Sequence, residues 1–99
     1  MEIIEILIVG TNQPIMETIE RLINKDGIWK ATIAFSEDEA LAYLTEREFK
    51  MVLLCAGLSE ELLLKDQLLH LKPNLPIVKH YGGGSGLLFA EIHQVLGAT

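Results

Sequence analysis

The chain has 99 residues, a net charge of −6 and a pI near 4.9, and 49% of its residues are hydrophobic. This length predicts one domain over residues 1–99, and the acidic balance argues against nucleic acid, whose phosphates require clustered Lys and Arg. No apolar run approaches the roughly 20 residues that span a bilayer, and no signal peptide precedes the first strand, so no membrane partner is expected. A single cysteine permits no internal disulfide, which predicts a reducing cytoplasm.

The first third of the chain predicts a strand, a helix and a second strand. Residues 3–9, IIEILIV, form a nearly continuous apolar run typical of a strand covered on both faces. Asn12 or Thr11 can cap the next helix, and Pro14 suits its first turn. The helix ends at the KDG sequence, and residues 29–35, WKATIAF, predict the second strand.

The middle of the chain predicts a helix, a buried strand and a leucine-rich helix. Ser36 and Glu39 have the spacing of a capping box, which opens a helix through residue 45. Residues 51–56, MVLLCA, predict the third strand. Ser59 is expected to start the third helix. The leucines of that helix indicate either a wide core face or a helix buried on two sides, including at a dimer interface.

The last third predicts a short strand followed by a closing helix. Pro73 and Pro76 end the third helix, because proline cannot continue it. Residues 77–81, IVKHY, predict the fourth strand, and residues 85–96 the fourth helix. Alternating strands and helices with continuous apolar strands indicate a three-layer α/β sandwich. In this flavodoxin-like fold a four-stranded parallel sheet carries helices on both faces, and ligand sites lie at the carboxyl ends of the strands.

Three segments carry a family resemblance, in the same order along the chain. They are EILIVGTNQPIMETIERLI, IAFSEDEALAYLTEREFKMVLLCAGLSE and LHLKPNLPIV. Together they resemble the receiver domain of bacterial two-component response regulators, the CheY-like family of phosphorelay proteins. The resemblance implies phosphoryl transfer to an aspartate after the third strand. It also implies an acidic pair for Mg²⁺ after the first strand, a hydroxyl residue after the fourth and a lysine after the fifth.

The residues of this chain do not match those functional positions. The acidic pair falls on Gly10 and Thr11, the phosphoacceptor on Cys55, and the hydroxyl residue on or near Tyr81. Mg²⁺ prefers oxygen ligands, and acyl-phosphate formation depends on it for electrostatic support. The comparison therefore predicts a degenerate receiver, or pseudo-receiver, that is not an enzyme and has no catalytic residue, metal or cofactor.

The resemblance also implies that the chain is truncated by one βα unit. Receivers usually have five strands, whereas here IVKHY runs through glycines directly into the last helix. Residues 77–81 match either the family's fourth strand or the end of its fifth, in which case Lys79 is the family's lysine. Lys79 and His80 would suit an exposed edge strand. High apolar content and the missing unit predict a protein partner, with a second copy in a homodimer as the expected one.

The glycine segment HYGGGSG leaves two interpretations open. A glycine-rich turn before a helix can bind an anion or nucleotide through backbone N–H groups. The alternative is a tight connection in which Ser85 caps the last helix. The sequence matches neither a dinucleotide fingerprint nor a P-loop. The possible anion-binding residues are Gly82, Gly83, Gly84, Ser85 and Gly86.

Cys55 and the histidines complete the candidate residues. Cys55 is either a nucleophile or, as we favour, a small buried hydrophobe. A phosphocarrier of the IIB type, with a phosphorylated cysteine, is a less favoured alternative, because its cysteine follows the first strand. His70, His80 and His93 lack metal-ligand spacing. The sequence therefore predicts a non-catalytic, receiver-like signalling and protein-interaction module.

Overall fold

The computed structural model describes residues 3–25, 27–55, 58, 60–80 and 85–96. Strands and helices alternate through the described part of the chain, as predicted from the sequence. The elements are β1 (Ile4–Val9), α1 (Gln13–Asn24), β2 (Trp29–Ala34), α2 (Glu37–Glu46), β3 (Met51–Leu54), α3 (Glu61–Leu71), β4 (Ile77–Lys79) and α4 (Ser85–Leu96). The second strand ends one residue earlier than predicted, and β4 contains only three residues.

The four strands form one parallel sheet in the order β2-β1-β3-β4. Strands β1 and β3 are central, and their side chains alternate between the two faces of the sheet. Ile6 and Ile8 belong to one hydrophobic cluster, whereas Leu7 and Val9 belong to the other. This double burial explains why β1 is apolar along most of its length, and it confirms the predicted three-layer α/β sandwich.

Each face of the sheet is covered by two helices. Helices α1 and α4 cover the face of Ile6 and Ile8, and α2 and α3 cover the face of Leu7 and Val9. The buried helix residues on the first face are Met16, Ile19, Ile23, Leu88 and Ile92. Those on the second face are Ala40, Leu44, Leu64 and Leu68. The last helix therefore packs on the same face as the first.

Two of the predicted helix caps form with the expected residues. Asn12, rather than Thr11, caps α1, because its Oδ1 accepts a hydrogen bond from the Ile15 N–H at 3.1 Å. Ser36 caps α2 in the same way, with its Oγ accepting from the Glu39 N–H at 3.1 Å. The returning bond of the capping box differs from the expected one, since Glu39 Oε1 accepts from the N–H of Phe35, at 2.8 Å, and not from Ser36.

Helix α3 packs on the sheet through a narrow stripe. Leu64 and Leu68 are fully buried, whereas Leu62, Leu63, Leu69 and Leu71 are exposed. Of the two interpretations of this helix, the wide core face is therefore wrong. The expected start at Ser59 lies outside the described residues. Glu60 occupies the N-cap position and makes no side-chain capping hydrogen bond.

Candidate functional site

The carboxyl ends of β1 and β3 meet at the centre of the sheet. Gly10 follows β1, and its N–H donates to the Ala34 carbonyl at 3.1 Å. Cys55 follows β3, and its N–H donates to the Val9 carbonyl at 2.8 Å. These two hydrogen bonds continue the strand pairing one residue beyond β1 and β3. Both residues are buried. This is the edge of a parallel sheet at which ligand sites form.

The side chains of Met16 and Cys55 lie close to Gly10. A Cβ atom built on Gly10 would lie 2.6 Å from Met16 Sδ and 3.1 Å from Cys55 Cβ. Met16 is itself only 1% exposed, since it is part of the core beneath α1. We call Gly10, Met16 and Cys55 the closed centre. A larger residue at position 10 requires Met16 to move.

The thiol of Cys55 is held in its protonated form. Burial raises its pKa to about 12, and the charge of Glu91 adds to this effect while Lys79 opposes it. A thiol with so high a pKa carries almost no thiolate at neutral pH and is a poor nucleophile. The geometry supports the interpretation of Cys55 as a small buried hydrophobe and disfavours a phosphorylated cysteine.

Thr11 and Lys79 lie outside the closed centre. Thr11 is exposed, in contrast to its buried neighbour Gly10. Lys79 Nζ donates to the Glu61 carboxylate, which links β4 to the start of α3. Strand β4 lies directly beside β3, which is the position of the fourth strand in a flavodoxin-like sheet of order 2-1-3-4-5. This position favours the match of residues 77–81 to a fourth strand over the match to a fifth strand.

A buried contact between His80 and Glu91 joins the end of β4 to the last helix. His80 is 8% exposed, and its backbone N–H donates to the Leu54 carbonyl at 2.9 Å. Its Nδ1 lies 2.5 Å from Oε1 of Glu91, in the middle of α4. In the described sheet β4 is an edge strand, as Lys79 and His80 suggested, but the His80 side chain is buried. The sequence holds one signal for this pair, because Glu91 is the only acidic residue of the apolar helix SGLLFAEIHQVL.

The remaining candidate residues are described only in part. Tyr81, Gly82, Gly83 and Gly84 lie outside the described residues, and Ser85 and Gly86 open α4. His70 is exposed, and the exposed His93 packs its ring edge-on against Trp29 at 4.9 Å between centroids.

Neither a metal-ligand cluster nor a membrane-spanning helix occurs in the described part of the chain. Within residues 3–25, 27–55, 58, 60–80 and 85–96, no group of three His, Cys, Asp or Glu residues has a geometry that could hold a metal ion. No helix in these same ranges combines the length and apolar character that a membrane span requires. The described side chains at this end of the sheet include those of the closed centre and of the Lys79–Glu61 and His80–Glu91 pairs.

Neither a family model nor a curated protein matches the sequence. Solved structures do match the fold. A two-component response regulator from Clostridium difficile has a TM-score of 0.84 at 14% identity, covering 95% of this chain and 96% of that chain. A sensor protein from Polaromonas sp. JS666 has a TM-score of 0.83 at 16% identity, with the same coverage of both chains.

A third structure is longer than this chain. It is a CheY-like response regulator receiver domain protein from Methanospirillum hungatei JF-1, with a TM-score of 0.71 and 21% identity. The match covers 92% of this chain but only 75% of that chain. These likenesses show that the chain has the flavodoxin-like receiver fold.

Proposed function

We propose that this protein is a pseudo-receiver: a signalling module that keeps the receiver fold, accepts no phosphoryl group, and acts by binding another protein. The observation that carries the proposal is the closed centre. In this fold the centre of the carboxyl edge is where the resemblance expects a carboxylate pair and a phosphoacceptor. Here Gly10 has no side chain, and Met16 and Cys55 occupy the adjoining space.

The residues at this edge do not fit Mg²⁺. A hard cation requires several oxygen ligands, preferably carboxylates. Gly10 contributes no side-chain oxygen, Thr11 contributes a single neutral hydroxyl, and Cys55 contributes a protonated thiol. Without the metal, phosphoryl transfer to this edge loses its main electrostatic stabilisation. The same thiol argues against a cysteine phosphocarrier.

The arrangement of the last two elements supports the loss of one βα unit. Strand β4 ends the sheet beside β3, and the next described element is already α4, which packs with α1. A receiver with a fifth strand would place another strand beyond β4.

The proposal is tested with the reagents that modify functional receivers. Backbone amide shifts of the ¹⁵N-labelled protein are recorded with Mg²⁺ alone, with Mg²⁺ and acetyl phosphate, and with Mg²⁺ and beryllofluoride. A receiver domain that is known to be phosphorylated serves as the positive control. We expect no saturable shift at Gly10, Thr11, Cys55 or His80, because this edge offers neither a metal site nor a carboxylate acceptor.

Saturable shifts confined to these residues on adding acetyl phosphate or beryllofluoride would contradict the proposal. A covalent phosphoryl adduct, detected as a mass increase of the intact protein, would contradict it as well. Unchanged spectra together with a responding positive control support it.

A further inference from the structure

Helix α3 also exposes leucines to solvent, on a side where Lys65 and Asp66 lie between them. Leu62 is 83% exposed and Leu69 is 36% exposed, and together they form what we call the α3 stripe. Seven residues make nearly two helical turns, so these two leucines lie on one side of the helix. Leu64 and Leu68 face the core instead. Clustered apolar side chains left exposed on a surface mark contact sites.

A furrow runs between α2 and α3 beside this stripe. It consists of three hollows of about 310, 440 and 340 Å³. Leu63 and Gln67 line the first two hollows, and Leu71 lines the last two, so the hollows adjoin one another. Leu41 of α2 adds an apolar wall in the middle. We call this continuous depression the α2–α3 furrow.

The two ends of the furrow carry opposite charge. The acidic end is lined by Glu37, Asp38 and Glu60, beside the start of both helices. The other end is lined by the cations Lys50 and Lys72, accompanied by Glu48. The charges thus change along the helix axis, from acidic at the Glu60 end to mainly basic at the Lys72 end, with leucines, Asp66 and His70 between them.

We infer that the α3 stripe and the α2–α3 furrow form a two-fold contact with a second copy of this chain, in which the two α3 helices run antiparallel. This arrangement sets the Glu60 end of each copy against the Lys72 end of the other and packs the leucines between them. A parallel arrangement would oppose like charges at both ends. A two-fold interface uses the same surface twice and must therefore be self-complementary, as this surface is.

Charge complementarity matters for this chain because each copy carries a net charge of −6. Charges separated by more than about 8–10 Å are largely screened at physiological salt, so the pairs in direct contact decide the orientation. This inference rests on the proposed function, since it takes the module's protein partner to be a second copy.

The decisive experiment reverses one charge at each end of the furrow, in two separate variants. Glu60→Lys sets the introduced lysine of each copy against Lys72 of the other, and Lys72→Glu sets the introduced glutamate against Glu60. Sedimentation velocity over a concentration series measures self-association of each variant and of their equimolar mixture. We expect each variant alone to dimerise at least about tenfold more weakly than the wild type, because like charges now meet at these two positions. The mixture should recover the wild-type dimer, because the introduced lysine of one variant then faces the introduced glutamate of the other, while Glu60 faces Lys72 as in the wild type.

A second pair of variants tests the apolar part. Leu62→Gln removes the most exposed leucine of the stripe while keeping a good helix former. Ile28→Gln is the matched control, because Ile28 is 59% exposed and lies before β2, away from α3. We expect Leu62→Gln to raise the dimer dissociation constant about tenfold or more and Ile28→Gln to leave it unchanged.

Three results would overturn the inference. The first is a wild-type protein that stays monomeric at several hundred micromolar. The second is a dimer that neither charge variant weakens, and the third is a mixture that regains no association. None of these results affects the acetyl phosphate experiment, so failure of this inference and failure of the proposed function are distinguishable.

Discussion

The centre of the sheet's carboxyl edge and its β4 side are stabilised by different kinds of residue. At the centre, Gly10, Met16 and Cys55 exclude charge and fill the space with apolar atoms. One strand away, two side-chain pairs hold β4 in place: Lys79 with Glu61 of α3, and His80 with Glu91 of α4.

The contrast is one of charge. Phosphoryl transfer requires charged groups at the reacting position, whereas the described ion pairs at this edge lie on the β4 side. Strand β4 has only three residues and one strand neighbour, so its pairing alone is weak support. Pairs to a helix on each face of the sheet compensate for the short strand. Substitutions in the closed centre and in the two pairs beside β4 separate the two contributions to stability.

The largest effect is expected from placing a carboxylate in the closed centre. Gly10→Asp forces a Cβ into the space of Met16 Sδ and places a carboxylate in a buried position beside Cys55. We expect the free energy of unfolding at neutral pH to fall by about 3 kcal/mol or more. Urea unfolding followed by circular dichroism measures the change.

Thr11→Asp is the matched control for this substitution. Thr11 occupies the adjacent position but is exposed, so a carboxylate there stays hydrated. We expect a change within about 1 kcal/mol. Equal destabilisation by the two substitutions would show that the centre is not closed as described.

Local patterns along the chain were sufficient to predict the elements of this fold. The apolar run of β1 and the caps at Asn12 and Ser36 each depend on residues close in sequence, so they were correctly assigned. The pair of His80 and Glu91 depends on a contact between a strand and a helix across the glycine segment, and no period in the sequence encodes it.

The closed centre was also only partly predictable. The absence of carboxylates at Gly10 and Cys55 is visible in the sequence. The insertion of Met16 against both residues is not, because it depends on how α1 is seated on the sheet. The surface of α3 shows the same limit: its leucines were evident, but their division between the core and solvent required the packed structure.

A smaller effect is expected from breaking the buried pair on the β4 side. Glu91→Ala leaves His80 buried without its partner, which should cost about 2 kcal/mol of unfolding free energy. Glu61→Ala removes the partner of Lys79 in a more exposed pair and should cost less than about 1 kcal/mol. Urea unfolding measures the loss of unfolding free energy in each variant. A larger loss in Glu61→Ala than in Glu91→Ala would show that the pair of Lys79 and Glu61 stabilises the fold more.

The smallest effect concerns the pH dependence of stability, through the thiol of the closed centre. Burial raises the folded-state pKa of Cys55 from 9.0 to about 12. Above pH 9 the unfolded chain therefore releases the thiol proton while the native state retains it, so this contribution to stability is complete below pH 9 and declines as pH rises towards 12. Between pH 8 and pH 10 the wild type should lose about 1 kcal/mol relative to Cys55→Ala, which has no thiol to titrate. Urea unfolding of both proteins at pH 8, 9 and 10 measures the difference and cancels the titration of lysine and tyrosine that the two share. Parallel pH profiles would mean that Cys55 is open to solvent, and the closed centre would then be accessible to reagents at neutral pH.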